Sequence, residues 1–146
     1  MTLAKNVTID GSALATQITI NGDTNNDSTG DVRLFTVNAG VTATLKNLTF
    51  TKGNALSYGT PYGGAIYNDG DLTIINSTFS SNKGNYAGAV GNWGTLRVQG
   101  STFTSNQSNN EGGAIMNFGT LTMANSTIVA NLAGSFGGGI SNVGGS

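Results

Sequence analysis

The sequence predicts an all-β protein, a right-handed parallel β-helix (solenoid) with about 24–25 residues and three short strands per coil, and about five to six coils. Three observations carry this expectation. One motif returns every 24 or 25 residues. Between its copies apolar and polar residues alternate with period two, which is the strand pattern rather than the helical one. Gly, Thr, Asn and Ser supply 75 of 146 residues (23, 20, 19 and 13), a composition of turns and strands with no helix-forming segment.

The repeat is plainest in the second half. Gly63-Gly64-Ala65-Ile66 returns as Ala87-Gly88-Ala89-Val90, Gly112-Gly113-Ala114-Ile115 and Gly137-Gly138-Gly139-Ile140, so the Ala65 position advances by 24, 25 and 25 residues. Each copy continues with Asn68, Asn92, Asn117 or Asn142, then with Gly70, Gly94, Gly119 or Gly144. An alternating run follows: Leu72-x-Ile74, Leu96-x-Val98, Leu121-x-Met123. A second run closes each unit: Ser77-x-Phe79-x-x-Asn82, Ser101-x-Phe103-x-x-Asn106, Ser126-x-Ile128-x-x-Asn131. A propeller blade needs about 40 residues or more, the LxxLxLxxN core of leucine-rich repeats is absent, and the nonapeptide calcium repeat has the wrong period. Three strands per turn remain, each about 4.8 Å from its counterpart one repeat away.

Leu72, Ile74 and Phe79 with their equivalents point inward in this arrangement and stack in columns, each buried side chain contributing roughly 1.5–3 kcal/mol. Gly-Gly-Ala ahead of the inward Ile permits a tight corner, including positive φ. Asn68, Asn92, Asn117 and Asn142 are expected to form an internal ladder, each amide bonding turn backbone or the asparagine one coil away.

The first third follows the plan less regularly. Counting back 29 residues from Ile66 and Phe79 reaches Val37 and Phe50. Phe35-x-Val37, Ala43-x-Leu45 and Leu48-x-Phe50 therefore make an earlier coil, with an insertion at residues 53–62 that holds the only proline, Pro61, where it breaks no ladder. Val7-x-Ile9 and Ile18-x-Ile20 supply a first coil, with residues 21–31 looping out. Residues 1–146 form one β-helix domain on this reading, irregular over 1–62 and regular over 63–146.

Composition excludes much chemistry. Without Cys there are no disulfides or thiolates, and without His the commonest general base and transition-metal ligand are gone. Six basic residues against seven acidic ones, with no basic cluster, leave little phosphate neutralisation, so nucleic acid is not an expected partner. No run approaches about 18 apolar residues, so no membrane span is expected, and no signal-peptide pattern follows Met1.

The repeats carry a resemblance. GGAI at 63–66 and 112–115, with FSSN at 79–82 and FTSN at 103–106, resembles the paired GGA(I/L/V) and FxxN tetrapeptides of chlamydial polymorphic outer-membrane proteins. It is equally similar to a broader bacterial family of right-handed parallel β-helix repeat proteins whose coils read GGGIYNxGxLTIxNSTFSxN. The likeness covers about residues 35–145, with AGAV at 87–90 and TIVAN at 127–131 as departures. It implies the fold and an extracellular or cell-surface location. It does not choose among the adhesins, autotransporter passengers and polysaccharide lyases that share the scaffold.

Sugar-cleaving enzymes on such a scaffold converge acids from adjacent coils on one bond. Asp69 and Asp71 share a coil, but their equivalents are Trp93 and Thr95, then Phe118 and Thr120, while Glu111, Lys83 and Arg97 lie on other columns. The carboxylates are expected to stand alone, and no catalytic residue is assigned. Asp23, Asn25, Asp27 and Asp31 place oxygen ligands at alternate positions, as DxNxD calcium loops do, although Leu34 stands at the twelfth position in place of a bidentate Glu. Calcium is the single cofactor considered; a solvated loop has the same composition.

Two outward columns are aromatic: Tyr62, Tyr86, Glu111, Phe136 ahead of the GGAI corner, and Asp69, Trp93, Phe118, Val143 within the Asn-x-Gly turn. Tyr62, Tyr86, Trp93, Phe118 and Phe136 could take a glycan or a protein, or cover the corner by packing on one another. Columns of Thr49, Thr78, Thr102, Thr127 and of Thr44, Thr73, Thr122 suit outward strand positions; Arg97 interrupts the second, which argues against an ice-binding array. The terminal coils offer unpaired edges. Ile140 and Asn142 end where the next Leu-x-Ile strand is due, and Leu3, Val7 and Ile9 begin the chain, with Lys5–Ile9 similar to Lys46–Phe50. Head-to-tail docking of copies into a filament is the expected partnership, with the alternative that these are the raw ends of a piece of a longer solenoid, which would also stack. The functional expectation is a non-enzymatic surface rod, with an adhesin or carbohydrate-binding segment second and a lyase-like enzyme third.

Overall fold

The computed structural model describes every residue except Tyr58, which lies in the 53–62 insertion. Among the described residues there are strands and turns and no helix, hence none long and apolar enough to cross a membrane. The strands form parallel sheets stacked as a β-solenoid.

The first sheet has six strands in the order β1 (Thr2–Leu3), β4 (Phe35–Val37), β7 (Ile66–Asn68), β11 (Val90–Asn92), β15 (Ile115–Asn117) and β19 (Ile140–Asn142). The second has five: β2 (Val7–Asp10), β5 (Thr42–Lys46), β8 (Asp71–Ile75), β12 (Thr95–Gln99) and β16 (Thr120–Ala124). The third also has five: β3 (Ile18–Asn21), β6 (Leu48–Thr51), β9 (Thr78–Ser80), β13 (Thr102–Thr104) and β17 (Thr127–Val129). A fourth, of two-residue strands, holds β10 (Lys83–Gly84), β14 (Gln107–Ser108) and β18 (Leu132–Ala133), a ladder that follows the FxxN corner and is too short to show a period-two pattern.

Register puts equivalent residues on top of one another. Leu96 pairs with Leu72 and Leu121, Phe103 with Phe79 and Ile128, and Asn92 with Asn68 and Asn117. Ala65 donates its N–H to Ala89 O at 3.0 Å and Ala89 donates to Ala114 O at 2.9 Å, so the corner alanines follow one line. The columns fill the interior: Phe50, Phe79 and Phe103 are fully buried and stack face to face at 4.6 and 4.7 Å.

Two expectations for the first third need correction. Ile66 pairs with Phe35, not Val37, and Val37 lies beside Asn68. The cause is corner length: four residues, 38–41, separate β4 from β5, where two, 69–70, separate β7 from β8. The third sheet keeps the 29-residue step, with Phe50 beside Phe79. Likewise Val7 and Ile9 pair with Ala43 and Leu45 in the second sheet, so Lys5–Ile9 does not occupy the place of Lys46–Phe50. Side-chain alternation is the same in both strands, and only the corner between them separates the two registers.

Corners explain the remaining local sequence. Gly63, Gly112 and Gly137 have φ of 68°, 65° and 63°, and Ala87 adopts 56° at the equivalent place. Lys52, Ser81, Ser105 and Ala130 hold positive φ at the FxxN corner without being Gly or Asn. Pro61 donates nothing but accepts the N–H of Asn85 at 3.0 Å and of Tyr86 at 3.1 Å.

Candidate functional site

Two asparagine ladders hold the corners that present the surface. Asn68 Nδ2 donates to Asn92 Oδ1 at 2.6 Å, Asn92 to Asn117 at 2.7 Å and Asn117 to Asn142 at 2.7 Å. At the other corner Asn82 Nδ2 donates to Asn106 Oδ1 and Asn106 to Asn131 Oδ1, both at 2.8 Å. Each amide also bonds backbone, as Asn92 does to the Gly94 and Thr120 carbonyls, so buried polar groups are matched.

Beside the first ladder the two aromatic columns merge. Tyr62 lies 5.0 Å from Tyr86, 4.5 Å from Trp93 and 6.2 Å from Phe118. Trp93 is sandwiched, with Tyr67 stacked on it at 5.0 Å and Phe118 at 4.6 Å. The meeting point is the outward face of the first sheet, whose column reads Thr36, Tyr67, Gly91, Met116, Ser141. A Cβ on Gly91 would sit 3.0 Å from Tyr62 Cβ and 3.1 Å from Trp93 Cζ3, so the missing side chain lets both rings lean across the sheet. Met116 beneath is only 4% exposed. Tyr62, Tyr67, Tyr86, Trp93 and Phe118 are half-buried, while Phe136 on the terminal coil is 72% exposed.

Arg33 was not singled out from sequence, yet it braces this face from below. Its guanidinium lies 5.4 Å from the Tyr67 ring centre, Nε donates to Gly63 O at 3.2 Å, and the remaining nitrogens bond the Thr60 hydroxyl and carbonyl. The residue is 6% exposed, so it ties the 53–62 insertion to the glycine corner. Its sequence neighbours gave no hint, because the partners lie 27 and 30 residues away. Tyr67 has its hydroxyl pKa raised, by burial first and by the Asp69 charge second.

Asp71 does not stand alone, contrary to the expectation above. Its carboxylate pairs with Arg97 of the next coil, which reaches diagonally because Thr95 is the residue directly beside Asp71. Both side chains are about half exposed, so the pair contributes at most about 1 kcal/mol. Asp69 is exposed, and Glu111 accepts the Ser141 hydroxyl at 2.9 Å on the first sheet.

Residues 21–31 form a tight hydrogen-bonded loop over Lys52. Asp23 Oδ2 accepts the Ser28 N–H and the Lys52 ammonium, each at 3.0 Å. Asp31 Oδ2 accepts the Thr24 N–H at 2.7 Å and its hydroxyl at 2.8 Å. Asn25 Nδ2 bridges Asp27 Oδ2 at 3.2 Å and Asp31 Oδ1 at 3.5 Å. The Lys52 hydrogen bond holds the Asp23 carboxyl below the ordinary carboxylate value, and the Thr29 hydroxyl does the same for Asp27. In this arrangement no three acidic side chains among the described residues are gathered tightly enough to share an ion. A cleft of about 250 Å³ opens beside the loop, lined by Ser28, Lys52, Asn54 and Lys83 among others.

Compared with protein-family models, curated proteins and solved structures, the chain finds no match.

Proposed function

We propose that this protein is a non-enzymatic structural rod of the extracellular space or cell surface, a β-helix that extends end to end into filaments. The contrast between inner and terminal coils supports this reading. Ile115, Leu96, Val98 and Phe103 are at most 2% exposed, whereas their counterparts one coil on, Ile140, Leu121, Met123 and Ile128, are half-buried. Val129, Leu132 and Val143 are 50%, 59% and 40% exposed. At the opposite end Val7, Ile9 and Ile20 are half-buried and Ile18 is 40% exposed. A second copy, like a further coil of the same repeat, has the side chains and strand spacing that suit both faces, since each face is a slice through the same columns. Its docking would bury these residues and pair the free strand edges, in a contact that does not close on itself.

The strand count shapes the joint. Laying β2 of one copy on β16 of another, and β3 on β17, brings β1 to the position that β19 already holds, because the first sheet has six strands and the next two have five. The two-residue β1 is the shorter partner and gives way. Electron microscopy and sedimentation of the purified chain over a range of concentrations test the proposal. Rods that lengthen with concentration in steps of about 25 Å, five strand spacings, are expected. Monomers at every concentration would overturn it.

A carbohydrate-binding or adhesin segment is the second reading, favoured by the half-buried rings gathered around Trp93. It ranks lower because Tyr67 and Phe118 already cover both faces of the indole, the surface a sugar ring would use. Saturable quenching of Trp93 fluorescence by oligosaccharides, without assembly, would reverse the order.

A further inference from the structure

Asp23 is the most deeply buried carboxylate whose partners do not account for it. Its side chain is 3% exposed and is turned into the 21–31 loop, where Oδ2 takes the Ser28 N–H and the Lys52 ammonium. The Asn26 N–H also faces the carboxylate, but Oδ1 is buried and receives no hydrogen bond of ordinary geometry. An ionised oxygen taken out of water and left unmatched is costly, so something else meets it. The surrounding charge indicates its sign. Asp23, Asp27 and Asp31 bring three negative charges to the loop, against Lys52 on Asp23 and Lys83 across the cleft, leaving a local balance of minus one.

We propose that the loop of residues 21–31 binds one divalent cation of the calcium class, with Asp23 Oδ1 as the preformed ligand and the carboxylates of Asp27 and Asp31 closing on the ion. The Asn25 amide now bridges those two carboxylates, a contact between donor and anions that a cation replaces with stronger attraction. Asn25 and Asp27 are exposed and Asp31 is half-buried, so the rearrangement disturbs no core packing. All of these donors are oxygens, which suits a hard ion with a flexible shell and disfavours zinc or copper. The loop is already rooted on the next coil, where Gly22 donates to Thr51 O and Asn54 Nδ2 donates to Gly30 O.

The test is calorimetric titration of calcium chloride into the metal-stripped full chain, alongside thermal unfolding with and without the ion. The expected result is saturable one-to-one binding with a dissociation constant of about 10⁻⁴–10⁻³ M, typical of extracellular calcium modules, and a raised unfolding temperature. Asp23→Asn and Asp27→Asn should each weaken binding by about tenfold or more. Should Asp23→Asn fail to fold, Asp27→Asn decides, because that side chain is exposed and its loss leaves the core intact. Absence of saturable heat at ten times the upper end of that range, or variants that titrate like the parent chain, would overturn the proposal and leave an ordinary water as the partner of Oδ1.

Discussion

Asn92 shows at the scale of one residue how this protein spends polar groups inside a β-helix. Its side chain accepts from Asn68 and donates to Asn117 and to two carbonyls, so it is a rung in a ladder running along the axis. Asn92→Ala removes those bonds and strands Asn117 Oδ1. At about 1–3 kcal/mol for each buried group left unmatched, a loss of about 3 kcal/mol is expected in urea unfolding. Asn109→Ala, at an exposed site bonded to Asn85, should stay within about 0.5 kcal/mol. Equal effects would refute the ladder's role. Ser105 carries the opposite lesson: its φ of 55° is one that L side chains tolerate poorly, and the residue is exposed. Ser105→Gly should therefore stabilise the chain by about 0.5–1 kcal/mol, measured in the same way. The first ladder could be read from sequence because identical residues one period apart must meet. The second was equally visible as the last letter of FxxN, but nothing in the letters said that Asn82, Asn106 and Asn131 turn inward.

Between residue and molecule, the regular strands were legible and the irregular corners were not. From β7 onward the corner lengths repeat, except that five residues separate β10 from β11 where six separate β14 from β15 and β18 from β19, and periodicity alone places each strand. In the first two coils the corner at 38–41 and the loop at 21–31 change the count, and a period of two cannot detect a shift of two. The same early elements hold the acid-sensitive groups. Asp10 is lowered from 3.8 to about 2, first by the Ser12 side chain and then by its N–H, and Asp23 and Asp27 are lowered as well. Carboxyls whose folded pKa lies below the unfolded value stabilise the fold above the unfolded pKa and cease to do so as pH falls through the folded one. The first coil and the 21–31 loop should therefore loosen between about pH 4 and pH 2, before coils from β7 onward. Amide hydrogen exchange at stepwise lower pH reads this directly, and uniform loss along the chain would contradict it.

For the whole molecule, stability is a sum over neighbouring coils, so the terminal coils, with one neighbour each, are the weakest parts. In the proposed end-to-end stacking, β1 and β19 would compete for one place in the first sheet. Deleting residues 1–4, or residues 140–146, leaves one claimant for that place, so either truncation should lengthen filaments at a given concentration relative to the full chain. Length distributions by electron microscopy, taken where circular dichroism shows both variants folded, check this against the full chain, and distributions identical to the full chain's would count against this joint. The aromatic face also belongs to this scale, because it exists only where separate columns from four coils converge over Gly91.

The amino-acid sequence by itself determined the solenoid, its inward columns and its first asparagine ladder, since in a coil of constant length the sequence period is also the contact distance. Tertiary structure alone decided the register of the early coils, the closing of Tyr62 over Trp93, the bracing by Arg33 and the unmatched oxygen of Asp23. These depend on how far a corner swings and how far a side chain reaches across columns, and neither quantity repeats along the chain.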